Sequence, residues 1–165
     1  MSCDPDRDRD ERGRARNARP RDRLGRPLPR GTAGVAPWPD ESELTPHEAL
    51  TTAQQLLEQG WPFQAHEVLE AAWTTASEPE RALWQGLAQL AVGVTHAARG
   101  NRRGAVALLE RGRSALKPYR DTAPYAIDVP GLLAWVASCL DLLSENRSSA
   151  RRGPPVLDPP RLRPS

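Results

Sequence analysis

Between Thr45 and Leu143, apolar side chains recur every three to four positions, and glycine or proline separates the successive runs. That spacing is one face of an α-helix, and the breaks are helix starts and stops. The first run is Ala49, Leu50, Ala53, Leu56 and Leu57, preceded by Thr45-Pro46-His47-Glu48. A threonine followed three residues later by glutamate is a capping box, and proline suits the first helical position. With Gly60 as a left-handed stop, the pattern predicts a helix over 46–59. Pro62 opens a second, carrying Ala65, Val68, Leu69, Ala72 and Trp73 and running to about Ala76.

Ser77-Glu78-Pro79-Glu80 reads as a second capping box at the head of the longest run, which ends at Arg99 before Gly100. Leu83, Leu87, Leu90 and Val94 fall on one line of that helix, and Ala82, Gly86, Gly93 and Ala97 on the next. A glycine inside a helix costs about 1 kcal/mol relative to alanine, so two on one face imply a close helix neighbour. Asn101 caps a fourth helix, in which Ala105, Leu108, Leu109, Ala115 and Leu116 face inward and Pro118 marks the end. After an irregular loop from Arg120 to Ile127, Asp128 caps a fifth, with Leu132, Leu133, Trp135, Val136, Leu140 and Leu143 inward. The predicted fold is all-α, a compact antiparallel bundle of about five helices in which consecutive helices are neighbours. Gly60, Ala65, Leu69 and Glu70 recur forty residues on as Gly100, Ala105, Leu109 and Glu110, which predicts two similar helical hairpins. The pattern also suits a tetratricopeptide-like peptide binder, although two copies are too few for a solenoid.

Composition sets the domain limits. Residues 1–40 and 147–165 are rich in arginine and proline and poor in aliphatics, so they read as disordered tails around a helical domain at 41–146. The first 37 residues carry ten arginines against six acids, +4, and the last 19 carry five against one, also +4. The middle is left with eight cations against fourteen acids, −6. Basic arms on an acidic core suit solvated tails, weak folding back, or polyanion binding by counterion release. Lys117 is the only lysine, so the arginines reflect a general coding preference as readily as recognition. Cys3 in a tail and Cys139 in an apolar stripe make no disulfide framework, which suits a reducing, cytoplasmic compartment. No run approaches the roughly 18 apolar residues of a membrane span.

The densest polar signal is His66-Glu67-Val68-Leu69-Glu70. His66 and Glu70 are four apart and share a helix face beside Trp73. Two readings fit. In one, Glu70 satisfies and orients a half-buried imidazole at the core edge. In the other, His66 and Glu70 belong to a metal or acid/base site with Glu67 and His96, a divalent metal being held by His66, Glu70 and His96. His96 lies with Gln85 and Gln89 on one line of the third helix, which could meet the second helix across their interface. The sequence is not the zinc-protease pattern, because Glu70 stands where H-E-x-x-H needs its second histidine. No phosphate-binding glycine loop and no nucleophile elbow occurs. Trp61, Trp73, Trp84 and Trp135 are a large aromatic share for such a domain, and any left exposed would rim a groove.

The ordered series F-x-A-H-E-x-L-E-x-x-W from Phe63, then Q-G-L-x-Q-L-A from Gln85, then G-N-x-x-G-A from Gly100, resembles the small bacterial family called domain of unknown function 309. The resemblance spans about residues 45–140. It implies a compact helical bundle with His66, Glu67, Glu70, Trp73, Gln85, Gly86, Gln89, Gly100, Asn101 and Gly104 at the family's signature positions. It implies no activity. The segment from Arg19 to Pro27 looks like an extension of the kind carried by actinobacterial members.

These readings favour a non-catalytic interaction module with a polar groove formed by His66, Glu67, Glu70, Trp73, Gln85, Gln89, His96 and Asn101, open to a peptide, a small ligand or a second copy. A metal-dependent or acid/base enzyme at the same residues, and polyanion binding through the basic tails, are the alternatives.

Overall fold

The structure is a computed structural model and describes residues 20–36, 43–145 and 153–164. Its elements are α1 (Pro46–Glu58), α2 (Pro62–Thr75), α3 (Glu78–Ala98), α4 (Arg102–Leu116) and α5 (Val129–Glu145). Single 3-10 turns at Lys117–Tyr119 and Pro124–Ala126 interrupt the loop before α5. Among the described residues the only β-type pairings are two isolated bridges, from Arg21 to Pro27 and to Val35.

Most helix ends have the expected chemistry. Glu48 N–H donates to Thr45 Oγ1 at 3.3 Å, and Thr45 N–H donates to Glu48 Oε2 at 2.9 Å, closing the box at α1. Asn101 Oδ1 accepts from Gly104 N–H and Asp128 Oδ1 from Gly131 N–H, each at 3.0 Å. Ser77 departs from expectation: α3 starts there without a side-chain cap. Its reciprocal partner is engaged elsewhere, since Glu80 Oε2 accepts from Tyr125 Oη at 2.8 Å.

Successive helices pack in sequence, with α3 against both α2 and α4. Its side chains Leu83, Trp84, Leu87, Leu90 and Ala91 are buried to within 1 %. The α3–α4 seam is close because glycines line it from both sides. A Cβ on Gly93 would lie 2.9 Å from Leu109 Cδ2, and one on Gly112 would lie 2.7 Å from Leu90 Cδ2 and 3.0 Å from Gly86 O. The repeat is structural too. Gly60 and Gly100 both end their helices at φ 77°, while Ala65, Leu69, Ala105 and Leu109 are all fully buried. The hairpins α1–α2 and α3–α4 are therefore built alike.

Two stretches that composition assigns to tails have definite courses. Residues 20–36 lie against the start of α2 and the end of α3, where Arg99 grips the Leu24 carbonyl through Nε at 2.7 Å and through Nη2, and Gln64 donates to Ala36 O at 3.0 Å. Residues 153–164 run beside α1 and α5, with Leu157 and Leu162 joining the core. The physical reason is that a few well-placed leucines can dock a chain whose average composition is polar. Residues 1–19, 37–42, 146–152 and 165 lie outside the described residues, and so does the expectation of disorder there.

Candidate functional site

The exposed side of α3 positions the site. Most of this helix is buried, yet Gln85, Gln89 and His96 are only half-buried, and they share one arc of the helix. Gly86 and Gly93, which touch α4, lie on the neighbouring arc. The polar line is thus the open margin of the central helix beside α4.

On α2, His66 Nε2 lies 3.1 Å from Glu70 Oε2, and the imidazole is 22 % exposed against 49 % for the carboxylate. Burial pushes His66 below its ordinary 6.5, and Glu70 opposes that shift without cancelling it. The neutral ring therefore donates through Nε2–H to Glu70 and keeps a lone pair on Nδ1. That Nδ1 is buried and has no hydrogen-bond partner among the described residues. Phe63 lies one turn earlier, its ring centroid 5.9 Å from that of His66. The N-terminal segment covers Phe63: Arg21 stacks above the ring at 5.8 Å, and Gly25 (φ 70°) approaches so closely that a Cβ would overlap it.

His96 belongs to a different pair. Its Nδ1 is 2.8 Å from Asn101 Nδ2, while Asn101 Oδ1 caps α4, so one amide ties the end of α3 to the start of α4. A Cβ on Gly104 would collide with both partners, at 2.6 Å from Asn101 Nδ2 and 2.9 Å from His96 Nδ1. Burial, followed by the charge of Arg99, lowers the His96 pKa. Asn101 is accordingly a latch rather than an open ligand.

The structure therefore joins the expected residues in two pairs, His66 with Glu70 and His96 with Asn101. Among the described residues no three His, Cys, Asp or Glu side chains are grouped to hold a metal ion. The expected three-ligand set of His66, Glu70 and His96 does not assemble: His66 pairs with Glu70, and His96 Nδ1 with Asn101. Glu67 and Trp73 are half-buried, the latter packed against the core. Of the other tryptophans, Trp84 is buried, and Trp135 is tied by its indole N–H to Asp158 O at 3.0 Å.

Two further polar atoms resemble His66 Nδ1: Gln89 Oε1 on α3 and Arg102 Nη2 on α4 are buried without a partner among the described residues. Arg102 was not singled out by pattern. Its signal is electrostatic, because arginine in the first turn of a helix faces the positive end of the helix dipole and needs a compensating partner. A second concave feature, a cleft of about 550 Å³, lies between the end of α4 and the start of α5, lined by Arg113, Lys117, Arg120, Pro130, Leu133 and Ala134.

The molecule is an all-α protein of two equivalent hairpins and a fifth helix, with a polar margin along its central helix. Residues 50–108 match the family described as Domain of unknown function (DUF309), and the match supports membership of that family. The matched stretch runs from α1 into α4 and contains His66, Glu70, Gln89, His96 and Asn101, but neither α5 nor the flanking segments. No curated protein and no solved structure matches the chain. Among the described residues, no helix is long and apolar enough to cross a membrane.

Proposed function

We propose that the chain is a non-catalytic helical interaction module that takes its partner along the polar margin formed by His66 and Glu70 on α2, Gln85 and Gln89 on α3, and Arg102 on α4. The observation that carries this reading is the set of buried atoms without a partner among the described residues, His66 Nδ1, Gln89 Oε1 and Arg102 Nη2, one on each of three successive helices. A buried polar group without a partner costs about 1–3 kcal/mol, so a bundle needing only stability would hold apolar residues there. The three side chains are half-buried, and once turned outward their two acceptors and one guanidinium suit a ligand that offers N–H donors beside an oxygen acceptor, as a peptide backbone does. The hairpin pair supports this choice, since grooves between helices are a common peptide seat.

A metal-dependent enzyme at these residues has less support, because among the described residues no third His, Cys, Asp or Glu groups with His66 and Glu70 to hold a metal ion. Polyanion binding by three of the described flanking arginines competes with internal contacts: Arg21 lies over Phe63, Arg26 pairs with Asp22, and Arg163 reaches His47 and Thr51.

Cross-linking pull-down with the full chain tests the reading. Wild type is expected to retain a specific partner that Glu70→Ala and Gln89→Leu lose while keeping the wild-type circular dichroism spectrum. Recovery of the same proteins by all three chains would overturn it.

A further inference from the structure

The C-terminal segment 153–164 is held less like a loop than like a bound peptide. Its inward residues are Leu157, Pro160 and Leu162, whereas Val156, Asp158, Pro159 and Arg161 point outward. Leu162 is 1 % exposed and Leu157 8 %. Gln54 on α1 reads the backbone twice: Oε1 accepts from Leu162 N–H at 2.8 Å and Nε2 donates to Pro160 O at 3.2 Å. From the other side, Asp128 N–H at the head of α5 donates to Leu162 O at 2.9 Å, and Trp135 Nε1–H donates to Asp158 O. Arg163 adds Thr51 Oγ1 at 2.7 Å and His47 Nδ1 at 2.9 Å.

These contacts share a logic. A side-chain amide and an indole N–H address main-chain carbonyls, and apolar slots take side chains at intervals, which is how domains recognise proline-rich extended peptides. Pro159 and Pro160 fix φ and remove two backbone donors, so the segment loses little entropy on docking and leaves its carbonyls to be read. The approach to this seat is loose. A cavity of about 400 Å³, lined partly by Leu57, Pro62, Val94 and Pro155, lies under the start of the segment, and Val156 is 89 % exposed.

We propose that the cleft between α1 and α5 is a binding site for leucine-flanked diproline segments, of the pattern Leu-x-Pro-Pro-x-Leu-Arg, and that residues 157–163 occupy it in cis until a partner carrying the same pattern displaces them. Gln54, Trp135, the Asp128 N–H and Thr51 are the reading groups. Because most of the polar recognition falls on main-chain atoms, it does not depend on the segment belonging to this chain. The site is separate from the polar margin around His66, so either can fail without the other.

The test uses the full chain and a fluorescent peptide with the sequence of residues 153–164. In wild type the tethered copy competes at an effective concentration on the order of millimolar, so binding is weak. Leu162→Asp, which undocks the chain's own segment, is expected to bind the peptide at least about tenfold tighter, and adding Gln54→Leu is expected to remove that gain. Hydrogen exchange on wild type needs no variant: peptide in excess of that effective concentration should strip protection from the Leu162 N–H, the one that Gln54 holds, while α1 and α5 keep theirs. Unchanged protection of the Leu162 N–H under that excess of peptide would overturn the proposal, whether or not Leu162→Asp folds. So would equal peptide affinity for wild type and a folded Leu162→Asp, or a peptide effect seen only as exchange of segments between two copies.

Discussion

Asn101→Ala separates the two duties of one side chain. The substitution removes the cap on Gly104 N–H, which is worth about 1 kcal/mol in typical helices. It also removes the donor to His96 Nδ1, a side-chain bond at the surface worth roughly 0.5–1 kcal/mol. Together the loss is about 1–2 kcal/mol, or roughly 5–10 °C in Tm for a folded domain of this size. Asn101→Asp dissects the sum. Its carboxylate still accepts from Gly104 N–H, but it offers no proton to a neutral imidazole and instead attracts a charged one. At pH 7.5 this variant should lose only the His96 share. Its deficit should then shrink as pH falls toward 5.5, because the new carboxylate raises the His96 pKa that burial and Arg99 hold down. Urea melts at both pH values measure this. An Asn101→Asp deficit independent of pH, or an Asn101→Ala loss no larger than that of Asn101→Asp, would refute the latch.

Other consequences follow from the same geometry. His66 and His96 are both held below 6.5 chiefly by burial. The unfolded chain therefore protonates first, so their contribution to stability is full above about pH 6.5 and declines as pH falls toward the folded-state values. Urea melts between pH 7.5 and 5.5 should show the decline, and His96→Gln should flatten it. Cys139 is 3 % exposed, and burial pushes its thiol up to about 12, with Asp158 adding to the shift. In native Cys3→Ser protein it should resist a thiol reagent and react only at the rate of unfolding. Gly112→Ala gains helix propensity of about 0.5–1 kcal/mol, yet its Cβ meets Leu90 and the Gly86 backbone, an overpacking cost of about 1–3 kcal/mol. Denaturant melts should show a net loss, larger than for Gly86→Ala, whose Cβ meets only side-chain atoms, at 3.1 Å or more.

The helices were legible because their evidence is local. Thr45, Gly60, Gly100, Asn101 and Asp128 each mark an end within one turn, and the apolar period needs no knowledge of neighbours. Gly86 and Gly93 even announce a close helix neighbour, which the structure shows to be α4. The second capping box failed for a reason outside its window, since Glu80 is taken by Tyr125, 45 residues away. Similarly, i,i+4 spacing found the His66–Glu70 pair. Nothing in a helical projection of α3 shows that His96 turns to a residue beyond Gly100. The docking of Leu162 onto Gln54 spans 108 residues. Composition averages over such a segment and sees arginine and proline, whereas folding depends on the positions of two leucines. Arg102 was overlooked because a lone arginine is common, although its place in the first turn of α4 was the clue.

The polar margin depends on a neutral His66 with its Nδ1 lone pair unspent, and long-range ¹H–¹⁵N spectra of the imidazole rings read that state. At pH 7 the account predicts a protonated Nε2 and a bare Nδ1 for His66, with Glu70→Ala perturbing Nε2 first. A doubly protonated His66 ring, or a proton on Nδ1 with Nε2 bare, would contradict it.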